Sequence, residues 1–98
     1  MRKVVQRPLA RQDLLDIWQY SFETWGKEQA NDYLLGLHDM LQKTAEMPTL
    51  GMSADHVLEG VFKRPYRHHM IYYRYTDETL LVMRLAHERM DVTPKSMQ

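Results

Sequence analysis

The chain has 98 residues, and its 13 lysine and arginine side chains balance its 13 aspartate and glutamate side chains. This length is typical of one domain, and the absence of cysteine excludes disulfides, thiolate metal sites and cysteine nucleophiles. No apolar run is long enough for a membrane helix or the core of a signal peptide, so we expect a cytoplasmic protein without membrane contact.

The first half of the sequence predicts one strand followed by two helices. Residues 3–7 form a short strand candidate, which ends at Pro8 because proline lacks the N–H that a sheet ladder needs. Residues 9–25 carry apolar side chains at helical spacing, and Gly26 interrupts this period. A second helical period covers residues 27–47. Two amphipathic helices joined by so short a break predict a helical hairpin.

The second half changes to a period of two, which predicts strands. Residues 57–63 are a strand candidate, and residues 69–75 are rich in aromatic and β-branched side chains. A polar turn at residues 76–79 leads into a last strand over residues 80–87. Because the connection is short, these last two strands are expected to pair antiparallel.

The order of elements predicts an α+β fold. We expect the amino-terminal strand to join a mainly antiparallel four-stranded sheet, with the helical hairpin packed on one face and the other face open to solvent. Residues 1–91 are assigned to this single domain, and the polar residues 92–98 are expected to form a flexible tail.

The histidines do not predict a metal site. His68 and His69 are adjacent, and neighbours on a strand point to opposite faces, so they cannot share one ion. His38 has no second ligand at helical spacing. The four glycines are too scattered for a phosphate-binding loop, so we expect neither a metal nor a cofactor.

Basic and aromatic side chains are interleaved in the second half. The segment from residue 60 to residue 76 contains basic side chains and no acidic one. Such a pattern suits either a nucleic acid or an acidic partner, but it is also typical of cross-strand packing with one solvated face, which we favour. The residues concerned are Lys63, Arg64, Arg67 and Arg74, with Tyr66, Tyr72, Tyr73 and Tyr75.

The helical hairpin has more apolar surface than one face of a small sheet can cover. Half-buried tryptophans are common on small domains, but an excess of this kind usually marks a partner surface. We therefore expect some of the following side chains to contact a partner: Leu15, Trp18, Phe22, Trp25 and Leu35.

A series of short patterns runs through residues 4–91. The helical half contains Ala10-x-x-Asp13-Leu14-x-x-Ile17-x-x-Tyr20, Trp25-Gly26, Ala30-x-x-Tyr33 and Pro48-x-Leu50-Gly51. The sheet half contains His69-Met70-Ile71-Tyr72-Tyr73-Arg74 and the ending Arg84-Leu85-Ala86-His87-Glu88-Arg89-Met90-Asp91. In this order and spacing the patterns resemble ParE toxins of the RelE/ParE superfamily, although Ala86 stands where that family usually has leucine.

The resemblance implies a bacterial toxin of a type II toxin–antitoxin module. Toxins of this type inhibit DNA gyrase by binding, not by catalysis, and so block replication. A ParD-like antitoxin neutralises them by laying its carboxyl-terminal segment over the helical hairpin and the sheet. The expected partners are therefore the antitoxin, in a hetero-oligomer, and gyrase, with DNA contacted only through the antitoxin.

The resemblance and the apolar excess together suggest two surfaces. An amphipathic antitoxin helix would lie on the hairpin, while basic strands would receive acidic antitoxin residues. The antitoxin contacts we expect are Leu14, Trp18, Phe22, Tyr33, Leu37, Arg64, Arg67 and Arg74. Toxicity is assigned to His87, Glu88, Arg89, Met90 and Asp91, unless Arg89 and Asp91 merely form a local ion pair.

Two alternatives remain open. A RelE-type, ribosome-dependent mRNA endoribonuclease would use His87, Arg67 and Arg84 as catalytic groups. However, His69 and Glu88 stand where such ribonucleases have basic residues, which leaves the charge of a phosphodiester transition state poorly compensated. The third possibility is an inactive toxin-like domain or small adaptor that binds a partner without affecting growth.

Overall fold

A computed structural model describes residues 1–98. The elements are β1 (Lys3–Gln6), α1 (Pro8–Trp25), α2 (Lys27–Glu46), a 3-10 helix (Pro48–Leu50), β2 (Met52–Ser53), β3 (Phe62–Tyr66), β4 (His69–Tyr75), β5 (Thr79–His87) and a second 3-10 helix (Pro94–Met97). Neither α-helix is both long and apolar enough to cross a membrane.

The sheet has the strand order β1-β5-β4-β3-β2, with β1 parallel to β5 and every other pair antiparallel. The α+β class with a helical hairpin is confirmed, but the sheet has five strands, not four. The additional strand, β2, consists only of Met52 and Ser53, which pair with Lys63 and Phe62. Two residues are too few to show a period of two, so the sequence showed no sign of this strand.

The break between the helices depends on one backbone conformation. Pro8 stands at the start of α1, where its fixed φ suits the first turn. Gly26 then ends α1 with φ at +94°, a value that residues with a β-carbon rarely adopt. Its N–H donates to the Phe22 carbonyl at 2.9 Å, while its own carbonyl accepts from Ala30 N–H at 3.1 Å. One glycine thus closes α1 and opens α2.

The strand expected over residues 57–63 begins later, at Phe62. The preceding residues form turns: Val57 N–H donates to the Ala54 carbonyl, and Gly60 N–H donates to Asp55 Oδ1, both at 2.9 Å. Gly60 has φ at +82°, which ends any extended run at that point.

The main core lies between the hairpin and one face of the sheet. Helical spacing places one face of α1 and one face of α2 against the strands. The buried cluster comprises Ala10, Ile17, Tyr33, Leu37, Leu41, Ala45, Ile71, Tyr73, Leu80, Val82 and Leu85.

The other face of the sheet is covered, so the expectation of an open face was wrong. The segment over residues 54–61 and the second 3-10 helix bring apolar side chains onto this face. The second cluster comprises Ala54, Val57, Val61, Tyr72, Met83, Ala86 and Met97. Ala86 therefore has two unbranched methionine side chains in its cluster, which can fill the space that a leucine would take.

The carboxyl-terminal residues do not form the flexible tail expected over residues 92–98. The 3-10 helix there has a capping box between Thr93 and Ser96, and Met97 is buried in the second cluster. Arg7 Nη1 donates to the Met97 carbonyl at 3.0 Å, and Arg84 Nη1 donates to the Ser96 carbonyl at 2.8 Å. Val92 and Met97 are the only apolar residues in this segment and show no regular period, so the sequence showed no sign of this docking.

We expect Gly36→Ala to destabilise the protein although alanine favours helices. A β-carbon at Gly36 would collide with the Tyr66 hydroxyl, which donates to the Tyr33 carbonyl at 3.1 Å. Overpacking of this kind costs about 1–3 kcal/mol. Urea denaturation of a double-mutant cycle with Tyr66→Phe tests this, since removing the hydroxyl should remove most of the cost. An equal cost in both backgrounds would contradict the explanation.

Candidate functional site

An apolar groove, here called the hairpin groove, lies between α1, α2 and the end of β1 and has a volume of about 390 Å³. Its lining residues are Gln6, Arg11, Leu14, Leu15, Trp18 and Leu34. The Trp18 ring stacks on Phe22 with 5.1 Å between ring centroids, and its Nε1–H donates to Asn31 Oδ1 at 3.0 Å. The indole is thus held in one orientation beside the groove.

The structure separates the expected apolar antitoxin contacts into two groups. Leu14, Trp18 and Phe22 lie in or beside the hairpin groove, and Phe22 is 44% exposed. Tyr33 and Leu37 are instead 7% and 0% exposed in the main core, so placing them on a contact surface was wrong. The helical period places Tyr33 and Leu37 on one face of α2, and that face packs against the sheet.

The three arginines expected to face an acidic partner do not form one surface. Arg64 Nη1 donates to Thr44 Oγ1 at 2.8 Å on the helix side of the sheet, whereas Arg74 Nη2 donates to the Glu59 carbonyl at 2.7 Å on the other side. Arg67 lies in the turn between β3 and β4, 3.8 Å from Asp32. Successive side chains of a strand point to opposite faces of the sheet. The three arginines are therefore close in the sequence but lie on different sides of the protein.

A second depression, here called the histidine cleft, lies where α1 and α2 meet the ends of β4 and β5. It has a volume of about 300 Å³. Its lining residues are Tyr20, Ser21, Trp25, Tyr33, His68, His69, His87, Glu88 and Arg89. The sequence assigned His87, Glu88 and Arg89 to toxicity, and Trp25 and Tyr33 to contacts with a partner. It showed no sign that these residues share one cleft, because the proximity of α1 to β5 is a long-range contact.

The histidine cleft has a hydrogen-bonded floor. The Tyr33 hydroxyl is 2.6 Å from His69 Nδ1, and the two rings meet edge to face. Burial and the neighbouring His87 lower the pKa of His69 to about 4, while burial raises the pKa of Tyr33 above its usual 10.0. Near neutral pH both groups are therefore uncharged, and one of them donates to the other.

The turn after β5 is anchored at its start and exposed throughout. Glu88 N–H donates to the His68 carbonyl at 2.8 Å, and Met90 N–H donates to the His87 carbonyl at 2.9 Å. Residues 87–91 are all exposed. Arg89 and Asp91 do not pair with each other, so the alternative of a local ion pair is not seen.

Arg84, one of the candidate ribonuclease residues, is fully engaged in structural contacts. Its Nε and Nη2 donate to the two carboxylate oxygens of Asp13, both at 2.8 Å, and its Nη1 donates to the Ser96 carbonyl. The hydrogen bond to Asp13 raises the pKa of the guanidinium above its usual value, so it remains charged. Its donors face protein groups, which argues against a role in stabilising a substrate phosphate.

We expect His69 to make the protein less stable as the pH falls below neutral. Its pKa in the folded state, about 4, lies below its ordinary value of 6.5, so the unfolded chain takes up the proton first. The contribution of His69 to the free energy of unfolding is complete above pH 6.5, its ordinary pKa. This contribution is lost as the pH falls towards about 4, its pKa in the folded protein.

The loss in free energy of unfolding between about pH 7 and about pH 5 should be about 2 kcal/mol smaller in His69→Gln than in the parent protein. Urea titrations at both pH values measure it, with His38→Gln, on the exposed side of α2, as the matched control. An identical loss in the parent and His69→Gln would show that this histidine does not titrate as described.

Comparison with known proteins gives consistent matches over most of the chain. A family model described as "ParE toxin of type II toxin-antitoxin system, parDE" matches residues 4–92. The chain is 36% identical over 86 residues to "Toxin ParE1" of Mycobacterium tuberculosis, covering 87% of this chain and 88% of that protein. It is 33% identical over 82 residues to "Toxin ParE1" of Caulobacter vibrioides, covering 84% of each.

One solved structure, "Chromosomal ParDE TA system from P. aeruginosa", has a similar fold. The TM-score is 0.75 at 15% sequence identity, with 89% of this chain and 96% of that chain covered. At this identity the likeness concerns the fold alone.

Proposed function

The chain belongs to the ParE toxin family of type II toxin–antitoxin systems, and on this premise we propose that it inhibits DNA gyrase by binding and is neutralised by a ParD-like antitoxin. The observation that carries the proposal is the separation of two exposed surfaces. One is the apolar hairpin groove, and the other is the polar turn over residues 87–91. Their different chemistry suits two different partners.

The hairpin groove is the proposed antitoxin site. An amphipathic helix buries apolar side chains in a groove of this kind and needs few polar contacts. Leu14, Leu15 and Trp18 supply the apolar wall, and Arg11 at the rim suits an acidic residue of the antitoxin. Leu15 is 64% exposed in the free chain, so its burial would contribute to binding.

The turn over residues 87–91 is the proposed gyrase-binding surface. Its backbone is held by one hydrogen bond from Glu88 N–H to the His68 carbonyl in the turn between β3 and β4, while its side chains are exposed. Arg89 makes no ion pair in the protein, and Met90 is 43% exposed. A turn that is anchored at its start and carries one unpaired cation and one exposed apolar side chain is suited to docking, because its anchored part loses little conformational entropy.

Inhibition without catalysis agrees with the state of the arginines. Arg84 is occupied by Asp13, and Arg67 lies between Asp32 and the rings of Tyr33 and Tyr66. A ribonuclease needs free positive charge where the transition state develops it. Neither Arg84 nor Arg67 is free to supply it, and the gyrase proposal relies only on the exposed Arg89.

Induced expression without antitoxin, with separate pulse labelling of DNA and protein synthesis, distinguishes the two activities. We expect DNA synthesis to fall first. If protein synthesis falls first, the ribonuclease alternative is correct; if neither falls, the chain is an inactive toxin or an adaptor.

Single substitutions in the turn should separate the two partners. Arg89→Ala and Met90→Ala, made separately, should abolish growth arrest yet bind the antitoxin as tightly as the parent, because neither side chain lines the hairpin groove. Growth curves and titration calorimetry measure the two properties. Loss of antitoxin binding in both variants would instead indicate misfolding, and unchanged growth arrest in both would place the gyrase surface elsewhere.

A further inference from the structure

The Tyr33 hydroxyl holds the short loop between β3 and β4 from the helix side. It accepts the His68 N–H at 3.4 Å, and it lies 2.6 Å from His69 Nδ1 and 3.4 Å from the Tyr66 carbonyl. The Tyr33 side chain is only 7% exposed and belongs to the main core, so the packing of α2 on the sheet fixes where this hydroxyl lies. One core side chain of α2 thus determines the position of the loop.

The loop has a backbone conformation that needs such support. Arg67 has φ at +49°, in the left-handed region that residues with a β-carbon rarely adopt. A conformation of this kind persists only where the surrounding structure imposes it. The Arg67 guanidinium lies 5.4 Å from the ring centroids of both Tyr33 and Tyr66, whereas its contact with Asp32 is exposed and contributes little. Tyr33 therefore holds Arg67 through its ring and His68 through its hydroxyl.

The loop in turn supports the exposed residues 87–91. Beyond the pairing of β4 with β5, one backbone hydrogen bond joins these residues to another part of the chain, from Glu88 N–H to the His68 carbonyl at 2.8 Å. The side chains of His68 and Glu88 are 3.6 Å apart, but both are more than half exposed, so this contact contributes little. The position of the turn therefore depends on where the His68 carbonyl lies.

A second connection runs through the histidine rings. His69, which contacts the Tyr33 hydroxyl, pairs with His87 in the sheet, and the two imidazoles meet edge to face with 5.5 Å between ring centroids. His87 Nδ1 then accepts the Arg89 N–H at 3.2 Å. Both connections lead from one phenol of α2 to the same turn.

We propose that Tyr33 is a positioning residue for the turn over residues 87–91. Its hydroxyl fixes the loop between β3 and β4, and the His68 carbonyl and the His69 ring pass this constraint to Glu88 and His87. The inference rests on the proposed function, because it takes residues 87–91 as the surface that docks on gyrase. A turn that is already held in its docking arrangement loses less conformational entropy on binding. Tyr33 thereby affects toxicity without contacting either partner.

Tyr33→Phe tests the proposal, since it removes the hydroxyl and keeps the ring in the core. In the purified chain, NMR should show hydrogen exchange of the Glu88 amide about tenfold faster than in the parent, as loss of one hydrogen bond implies. The concentration that half-inhibits supercoiling by gyrase should rise by about tenfold as well. Affinity for the antitoxin should stay within about threefold of the parent.

Tyr73→Phe is the matched control, because it makes the same change in the same core. The Tyr73 hydroxyl donates to the Pro48 carbonyl at 2.6 Å and has no hydrogen bond to the loop or the turn. Both variants should lose global stability, but only Tyr33→Phe should speed Glu88 exchange and weaken inhibition per folded chain. Arg67→Ala changes an exposed side chain, so it tests the loop even if Tyr33→Phe folds poorly, and it should also speed Glu88 exchange.

Three results would overturn the proposal. They are unchanged Glu88 exchange in Tyr33→Phe and Arg67→Ala, equal acceleration in Tyr73→Phe, and unimpaired inhibition by a Tyr33→Phe chain whose Glu88 amide exchanges faster. If the parent chain does not inhibit gyrase, the proposed function fails, whereas the exchange rates still decide whether Tyr33 holds the turn.

Discussion

Asp13→Ala is expected to lower the free energy of unfolding by about 3–5 kcal/mol, as loss of one partner from a buried ion pair does. The side chains of Arg84 and Asp13 are only 17% and 12% exposed. Asp13 Oδ2 also accepts from the Leu85 N–H at 2.9 Å. Pairing between β1 and β5 ends at Gln6 and Val82. Beyond that point no strand lies beside this edge of β5, and the Asp13 carboxylate accepts the Leu85 N–H in its place.

Urea denaturation of purified variants measures this effect. Asp16→Ala, an exposed aspartate of the same helix, is the control and should change stability by less than about 0.5 kcal/mol. The double variant Asp13→Ala with Arg84→Met should recover part of the loss, because no buried charge is left unpaired. A loss below about 1 kcal/mol for Asp13→Ala would show that the ion pair behaves as an exposed one.

Trp18→Ala should weaken binding of the antitoxin by about 2–4 kcal/mol, roughly thirtyfold to a thousandfold. The indole borders the hairpin groove, is stacked on Phe22 and is fixed by Asn31. Large aromatic side chains that are held rigidly beside an apolar groove are typical binding hot spots.

Titration calorimetry with the antitoxin's carboxyl-terminal peptide measures this prediction. Trp25→Ala is the matched control, since it removes the same side chain from the same helix on the side of the histidine cleft. We expect the control to bind within about threefold of the parent, as near-neutral interface positions do. Equal weakening by both variants would show that the antitoxin contact is not centred on the hairpin groove.

The helical hairpin was predictable from the sequence because its signals are local. The apolar side chains follow a period of 3.6, and Gly26 marks the break by a backbone conformation that other residues rarely adopt. The same reasoning assigned Tyr33 and Leu37 to a partner surface. Periodicity shows which side chains share one face of a helix, but it does not show which of them the sheet covers.

The second core and the candidate site depended on contacts that sequence spacing does not show. Met97 and Val61 reach the far face of the sheet from segments without periodicity. The pair of Asp13 and Arg84 joins residues 71 positions apart, and only the folded chain brings Trp25 beside His87. The turn after β5 was selected from the family resemblance, whereas the cleft behind it became visible only in three dimensions.

Supercoiling of relaxed plasmid by purified DNA gyrase is the measurement that tests the proposed function most directly. We expect the purified chain to inhibit supercoiling, an equimolar antitoxin to restore it, and Arg89→Ala or Met90→Ala to lose the inhibition while remaining folded. Unimpaired supercoiling in the presence of excess folded chain would contradict gyrase as the target.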